Sequence, residues 1–163
     1  MRRAHTVGII TLCLLLSGCA GLSEAPPDDM RQAVYGMSDQ AADALLESPP
    51  WSGDTQNMVV MLAPPTIDAT FNISAARLTE TLGRALLALE DGPQVLDWTP
   101  GMMTDDAPDN HWILESHLNS NGVIRLSDRE LLPYQWEITL RRPGQKAPSW
   151  RATLSGALDA SAL

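Results

Sequence analysis

Three side chains of one short segment are of the types that bind metal ions: His111, Glu115 and His117. Residues 111–119 alternate apolar and polar, as strands do, so all three would point to the same face. At about 3.3 Å per residue, the four-residue spacing separates the first two by about 13 Å. One ion would need a bent strand to bind all three, so we predict a solvated strand face and no metal site.

Two neighbouring carboxylates, Asp105 and Asp106, have the residue types that glycoside hydrolysis uses. They lie in a loop, residues 99–110, that is rich in proline, glycine and aspartate, where solvated carboxylates are expected. The sequence has no G-x-S-x-G motif, and no cysteine after residue 19 that would serve as a nucleophile. We therefore expect a protein that is not an enzyme, with no catalytic residue and no cofactor.

The most specific sequence motif of the chain ends at Cys19. Three features precede it in chain order. Arg2 and Arg3 come first, then an apolar segment over residues 7–16 that is too short to span a bilayer as a helix, and then Leu16-Ser17-Gly18 directly before the cysteine. This order resembles a bacterial lipobox, and the resemblance implies a thiol that receives a diacylglycerol and cleavage before Cys19. By resemblance to sorted lipoproteins, Ala20 in place of aspartate implies the outer membrane rather than the inner one. The alternative is an ordinary secretory peptide with a chance cysteine.

Cleavage would leave 145 residues, enough for one domain. It removes two arginines and no acid, so the net charge changes from −9 to −11. Such an acidic surface argues against nucleic acid as a partner. Cys13 leaves with the signal and Cys19 is lipidated, so the domain has no disulfide and must fold on its apolar core.

A strand, a helix and a second strand are predicted over residues 57–98. Residues 58–62 form a continuous apolar run, typical of a strand covered on both faces. The helix has apolar residues at spacings of three and four, with Ser74 or Asn72 as its N-cap, and Asp91-Gly92-Pro93 ends it. The strand at residues 94–98 follows. A connection of this length favours a parallel pair with a right-handed crossover.

The flanking segments complete an α/β (α+β) domain with a mixed sheet. Residues 19–37 are predicted to form the lipidated N-terminus and a tether, and residues 38–48 a short helix capped by Ser38. The 18 residues at 20–37 would reach at most about 60 Å, at about 3.3 Å each. The predicted organisation is therefore a signal peptide at 1–18, the tether, and a periplasmic domain at 38–163.

Alternation predicts the C-terminal strands. Residues 111–119 and 134–142 alternate, and the strand that begins at Trp150 would form an antiparallel hairpin with the second of them. Residues 123–132 are ambiguous, with 123–126 as strand and 128–132 as loop. We expect Trp112, Trp136 and Trp150 in the sheet core. Met102 and Met103 would serve either as core or as an apolar contact surface.

In the order and spacing of these elements the chain resembles the penicillin-binding-protein activator lipoproteins of the LpoB type. The resemblance covers roughly residues 38–155, and residues 73–87 align without gaps. It is carried by Ala44-Leu45-Leu46-Glu47-Ser48-Pro49, the strand with Val59 and Val60, Ile67-Asp68-Ala69-Thr70, residues 78–87, the strand at 112–120 and the hairpin with Trp150.

The resemblance implies a fold like the N-terminal domain of TolB. It also implies a non-catalytic outer-membrane lipoprotein, facing the periplasm, that binds and stimulates a bifunctional peptidoglycan synthase (a penicillin-binding protein). Two other hypotheses stay open: a different non-enzymatic assembly or secretion accessory of the envelope, and an envelope hydrolase. The hydrolase hypothesis rests on the compartment alone.

Overall fold

The computed structural model describes residues 29–102 and 107–160. Two α-helices are present in this part, α1 (Asp29–Glu47) and α2 (Ala75–Ala88). Its strands are β1 (Val59–Leu62), β2 (Thr66–Ile67), β3 (Gln94–Asp97), β4 (His111–Ser120), β5 (Ile124–Arg125), β6 (Glu130–Arg141) and β7 (Trp150–Asp159). No helix among the described residues is long and apolar enough to cross a membrane.

The strands form one mixed sheet, in the spatial order β3-β1-β4-β6-β7. β3 and β4 run parallel to β1 on its two sides, whereas β6 runs antiparallel to both β4 and β7. β2 continues beside β4 after β1 ends, and β5 pairs with the start of β6. The mixed sheet, the βαβ opening and the C-terminal antiparallel hairpin predicted from the sequence are confirmed.

The βαβ unit follows from its local sequence. β1 is buried along its whole length, as its continuous apolar run predicts. The Ser74 hydroxyl accepts a hydrogen bond of 3.2 Å from the Arg77 amide and so caps α2. After α2, Asp91 takes the left-handed conformation at φ 63°. Gly92 is needed for a different reason, because a Cβ there would come within 2.5 Å of the Leu86 carbonyl oxygen.

The first helix corrects two predictions. α1 begins at Asp29, not at Ser38, so residues 29–37 belong to the folded domain and not to a tether. Val34 and Met37 are buried, and they extend the apolar stripe that continues through the predicted helix. Ser38 is therefore not an N-cap. It lies inside α1, fully buried, and its hydroxyl donates to the Thr81 hydroxyl of α2 at 3.1 Å.

The start of β6 corrects a third prediction. Residues 130–132 are strand rather than loop, and Leu132 is buried in the core. The strand accommodates Pro133 because the Pro133 carbonyl oxygen accepts a hydrogen bond from the Asn121 amide, in the connection between β4 and β5. The proline nitrogen faces the same connection, so its missing N–H interrupts no ladder with a neighbouring strand.

Both helices cover one face of the sheet, and the main core lies between them and the strands. Trp112, Trp136 and Leu140 are buried in this core, whereas Trp150 is half-buried against it. On the opposite face a smaller buried cluster contains Val59, Met61, Ala63 and Ile113, with Trp98 packed against it. The rest of that face is largely polar.

Candidate binding site

The sequence-predicted polar face of β4 is where alternation placed it. His111, Glu115 and His117 lie on the sheet face opposite the helices, and no group of three metal-binding side chains occurs among residues 29–102 and 107–160. Glu115 accepts hydrogen bonds from the Arg141 guanidinium, at 2.7 Å from Nη2 and 3.1 Å from Nε. The Glu115 carboxylate therefore has a structural partner.

Several residues that the sequence analysis singled out lie outside the part of the chain that the structure describes. These are the lipidation residue Cys19, the carboxylates Asp105 and Asp106, and the side chains of Met102 and Met103. Lipidation of Cys19 stays a prediction, as does the choice between contact surface and core for the two methionines.

Asp68, in the segment that carries the family resemblance, has a local role. Its carboxylate accepts from the Thr70 amide at 2.9 Å and from the Thr70 hydroxyl at 2.8 Å, which caps a 3₁₀ turn at Ala69–Phe71. The backbone hydrogen bond from Thr70, and then the one from its side chain, lower the pKa of Asp68. The half-buried Asp68 thus fixes the entry to α2 rather than forming a site.

A groove beside β3 is the feature that sequence reasoning missed. Two adjoining cavities of about 440 and 470 Å³ lie between α2 and β3, and Leu62, Thr79, Glu80 and Asp97 line both. Ala75, Ala76 and Trp98 line one end, while Leu87, Val95 and Leu96 line the other. The walls are mainly apolar, as in sites that bind apolar side chains.

The tight approach of α2 to the sheet forms the floor of the groove. A Cβ at Gly83 would lie 3.3 Å from Leu62 Cδ1 and 3.8 Å from Val95 Cγ1, so the glycine lets the helix settle close to β1 and β3. One turn later, Leu87 is 64% exposed although it lines the groove. Leu96 of β3 is 49% exposed. Two large apolar side chains thus stand in solvent at the same edge.

The backbone of β3 adds unused hydrogen-bonding groups to this edge. The amides of Gln94 and Trp98 donate to the carbonyls of Met58 and Leu62, each at 2.9 Å. Because alternate residues of a strand point their backbone groups to opposite edges, Val95 and Asp97 direct theirs away from β1. Among the described residues, no strand pairs with β3 on that side.

The charges at the groove are mostly negative. Arg84 is bound to Glu80 at 2.9 Å, and its guanidinium also lies 5.8 Å from the centre of the Tyr35 ring. Asp97 has no ion-pair partner among the described residues. Apolar walls, a strand edge and one unpaired carboxylate together provide the elements of a peptide-binding surface.

Leu87 and Leu96 are the residues in the sequence that could have indicated this site. A leucine in a helix or strand is, however, equally compatible with a position in the core. In the α2 pattern Leu87 falls beside Leu86, which is fully buried. Leu96 alternates with Val95, and either one fits an inward position. Only the position of β3 at the end of the sheet shows that these leucines are solvent-exposed.

Comparisons with known proteins give distant structural similarity. No family model matches the chain, and no curated protein matches it at a significant level. It is similar to a lipoprotein, GNA1162 from Neisseria meningitidis, at 13% identity and a TM-score of 0.45 over 64% of this chain and 85% of that one. It is also similar to a Helicobacter pylori protein described as a homologue of the neuraminyllactose-binding hemagglutinin. The identity is 12% and the TM-score 0.34, over 69% of this chain and 72% of that one. Both scores are below 0.5, so the similarity does not extend to a function.

Proposed function

We propose that this chain is a non-catalytic, lipid-anchored binding module of the outer membrane, facing the periplasm, which activates a bifunctional peptidoglycan synthase. The observation that carries the binding role is the apolar groove beside the open edge of β3. The resemblance to the activator lipoproteins of the LpoB type supplies the identity of the partner. The lipobox at Cys19 supplies the anchor.

The positions that carry the resemblance support this proposal through their order in the fold. The Ala44–Pro49 segment ends α1, and residues 78–87 belong to α2. The strand at 112–120 is part of β4, and Trp150 begins the last strand of the hairpin. A chain with these elements in another order would offer no such support.

The earlier start of α1 restricts where the partner is reached. If Cys19 carries the lipid, nine residues, 20–28, separate it from the first helical residue. At about 3.3 Å per residue even a fully extended segment spans about 30 Å, half of the reach expected from the sequence. The docking part of the synthase would therefore have to extend to within about 30 Å of the anchoring membrane, plus the width of the domain.

A glycan-polymerisation assay tests the proposal. The full chain, processed by its own cell and purified in detergent, is added to the bifunctional synthase of the same cell. We expect a several-fold increase in polymerisation rate. An unchanged rate together with no measurable binding would refute the activator proposal, and would favour another accessory role in the envelope.

Matched variants test whether the edge of β3, beside the groove, is the surface involved. Leu96 and Ile124 are both 49% exposed, but Ile124 lies in β5, away from the groove. Leu96→Glu should remove most of the stimulation because it places a charge at the apolar edge. Ile124→Glu, with the same change of charge, should stimulate as the unmodified chain does. Equal loss in both variants would mean that the effect is not specific to the edge of β3.

A further inference from the structure

The outer edge of β3 combines unpaired backbone groups with exposed apolar side chains, two features that proteins usually keep apart. Free strand edges are normally short, charged or covered, because their unpaired backbone groups attract other strands. β3 is short, yet Leu87 and Leu96 stand exposed beside it, and a groove runs along its helix side. The opposite edge, β7, differs: Thr153, Ser155 and Ala157 give it a small and largely polar outer face.

We propose that the edge of β3 binds an extended, basic segment of the partner protein by strand addition. The backbone of the segment pairs with the outward N–H and C=O groups of Val95 and Asp97. The identity of the partner as a peptidoglycan synthase rests on the function proposed above. The mode of binding rests on the geometry of this edge.

The groove sets what the side chains of the added strand should be. Alternate side chains of a strand point to opposite faces, so every second residue of the segment would enter the groove beside Leu87. The intervening residues would lie on the other face of the sheet, next to Leu96. Apolar residues fit the groove because its walls are mainly apolar and have room for a side chain of valine or leucine size.

Charge complementarity selects a basic segment. The described residues provide Asp97, without an ion-pair partner, at the carboxyl end of the edge, and Glu90 and Asp91 shortly before its amino end. The single cation that lines the groove, among the residues the structure describes, is Arg84, already paired with Glu80. The whole chain has a formal net charge of −9. A lysine or arginine beside Asp97 would form a new pair, and an acidic segment or a second copy of this chain would be repelled.

Site-specific crosslinking tests where the segment binds. A photoreactive amino acid replaces Leu96 in one variant and Ile124 in another, and each full chain is irradiated with the synthase and mapped by mass spectrometry. We expect Leu96 to crosslink to an extended synthase segment that alternates apolar residues and contains lysine or arginine, and Ile124 to give no such product. Crosslinks from Leu96 to a second copy of this chain, or to lipid, would overturn the proposal.

Two substitutions test the backbone and charge contributions. Val95→Pro removes an outward N–H that β1 does not use, so the dissociation constant should rise about tenfold while the sheet keeps its ladder. Asp97→Asn should raise it about two- to fivefold at low salt, and less at high salt. Asp128→Asn, with the same change of charge in the turn before β6, is the control and should have no effect. Unchanged binding in both Val95→Pro and Asp97→Asn would refute strand addition.

The readouts separate this inference from the proposed function. Val95→Pro is tested by circular dichroism and thermal unfolding. If it has lost its fold, a synthetic peptide of the mapped segment with N-methylated backbone amides replaces it, and should bind about tenfold more weakly than the unmethylated peptide. Stimulation of the synthase with crosslinks at another surface would refute strand addition and leave the activator role intact. Binding of the basic segment to β3 without stimulation would refute the activator role alone.

Discussion

Two glycine-to-alanine substitutions should change stability in opposite directions. Gly36 lies inside α1, exposed, and a Cβ there would meet no atom within 4 Å. Gly156 lies in β7 opposite Tyr134, where a Cβ would come within 2.6 Å of the phenol oxygen and 2.8 Å of the ring. Contacts this short force an atom to move.

The magnitudes follow from what each alanine gains and displaces. Alanine is favoured over glycine in a helix interior by about 0.8–1 kcal/mol, so Gly36→Ala should stabilise the protein by about that amount. The same gain in a strand is about 0.5–1 kcal/mol, whereas overpacking a core costs about 1–3 kcal/mol. Tyr134 is 6% exposed and buried among core residues, so it has little room to retreat. The difference of these two ranges centres on about 1 kcal/mol, so Gly156→Ala should destabilise by about that amount, and by at most about 2.5 kcal/mol.

Urea unfolding of the full chain, followed by circular dichroism and tryptophan emission, measures both effects. A third variant isolates the cause: in a Tyr134→Val background the short contacts are absent, and Gly156→Ala should become neutral or stabilising. If Gly156→Ala stabilises the unmodified protein as much as Gly36→Ala does, Tyr134 moves freely and the packing argument is wrong.

Three further substitutions test other contacts. Thr81→Val should lower the free energy of unfolding by about 1–2 kcal/mol, because it removes the acceptor of the buried Ser38 hydroxyl. Most of this loss should disappear in a Ser38→Ala background. Additive losses of stability in urea unfolding would contradict the coupling. Burial raises the pKa of Tyr134 above its usual 10.0, so the unfolded state loses its proton first and stability should fall as the pH rises above about 10. Tyr134→Phe should lack that part of the alkaline loss, and equal pH profiles for the two proteins would refute the assignment. The Arg142 guanidinium lies 4.7 Å from the centre of the Trp112 ring. Arg142→Gln should therefore lower the stability by about 1 kcal/mol, measured by thermal unfolding, and Arg142→Lys should lower it less. Equal losses of stability in the two variants would exclude a cation–π contribution.

Much of the fold was predictable because its signals are local. The alternation around Trp136, the burial of β1 and the cap at Ser74 each depend on residues a few positions apart. The start of α1 was missed because Gly36 and several polar residues weaken the pattern over residues 29–37, so burial against α2 decides that segment. Residues 130–132 continue β6 beyond Pro133, because the proline lies beside the β4–β5 connection, where no strand needs its N–H.

The candidate site was not predictable in the same way. The sequence by itself determined most of the helices and strands, although not where α1 and β6 begin. It also determined which side of β4 and β6 faces the core, because the periods of 3.6 and 2 fix those directions locally. Only the tertiary structure decided that β3 lies at the end of the sheet, that Leu87 and Leu96 border one groove, and that the Tyr134 ring packs against Gly156. These features join different elements of the chain, so the strand order and the packing of helices on the sheet decide them, and no local period encodes either.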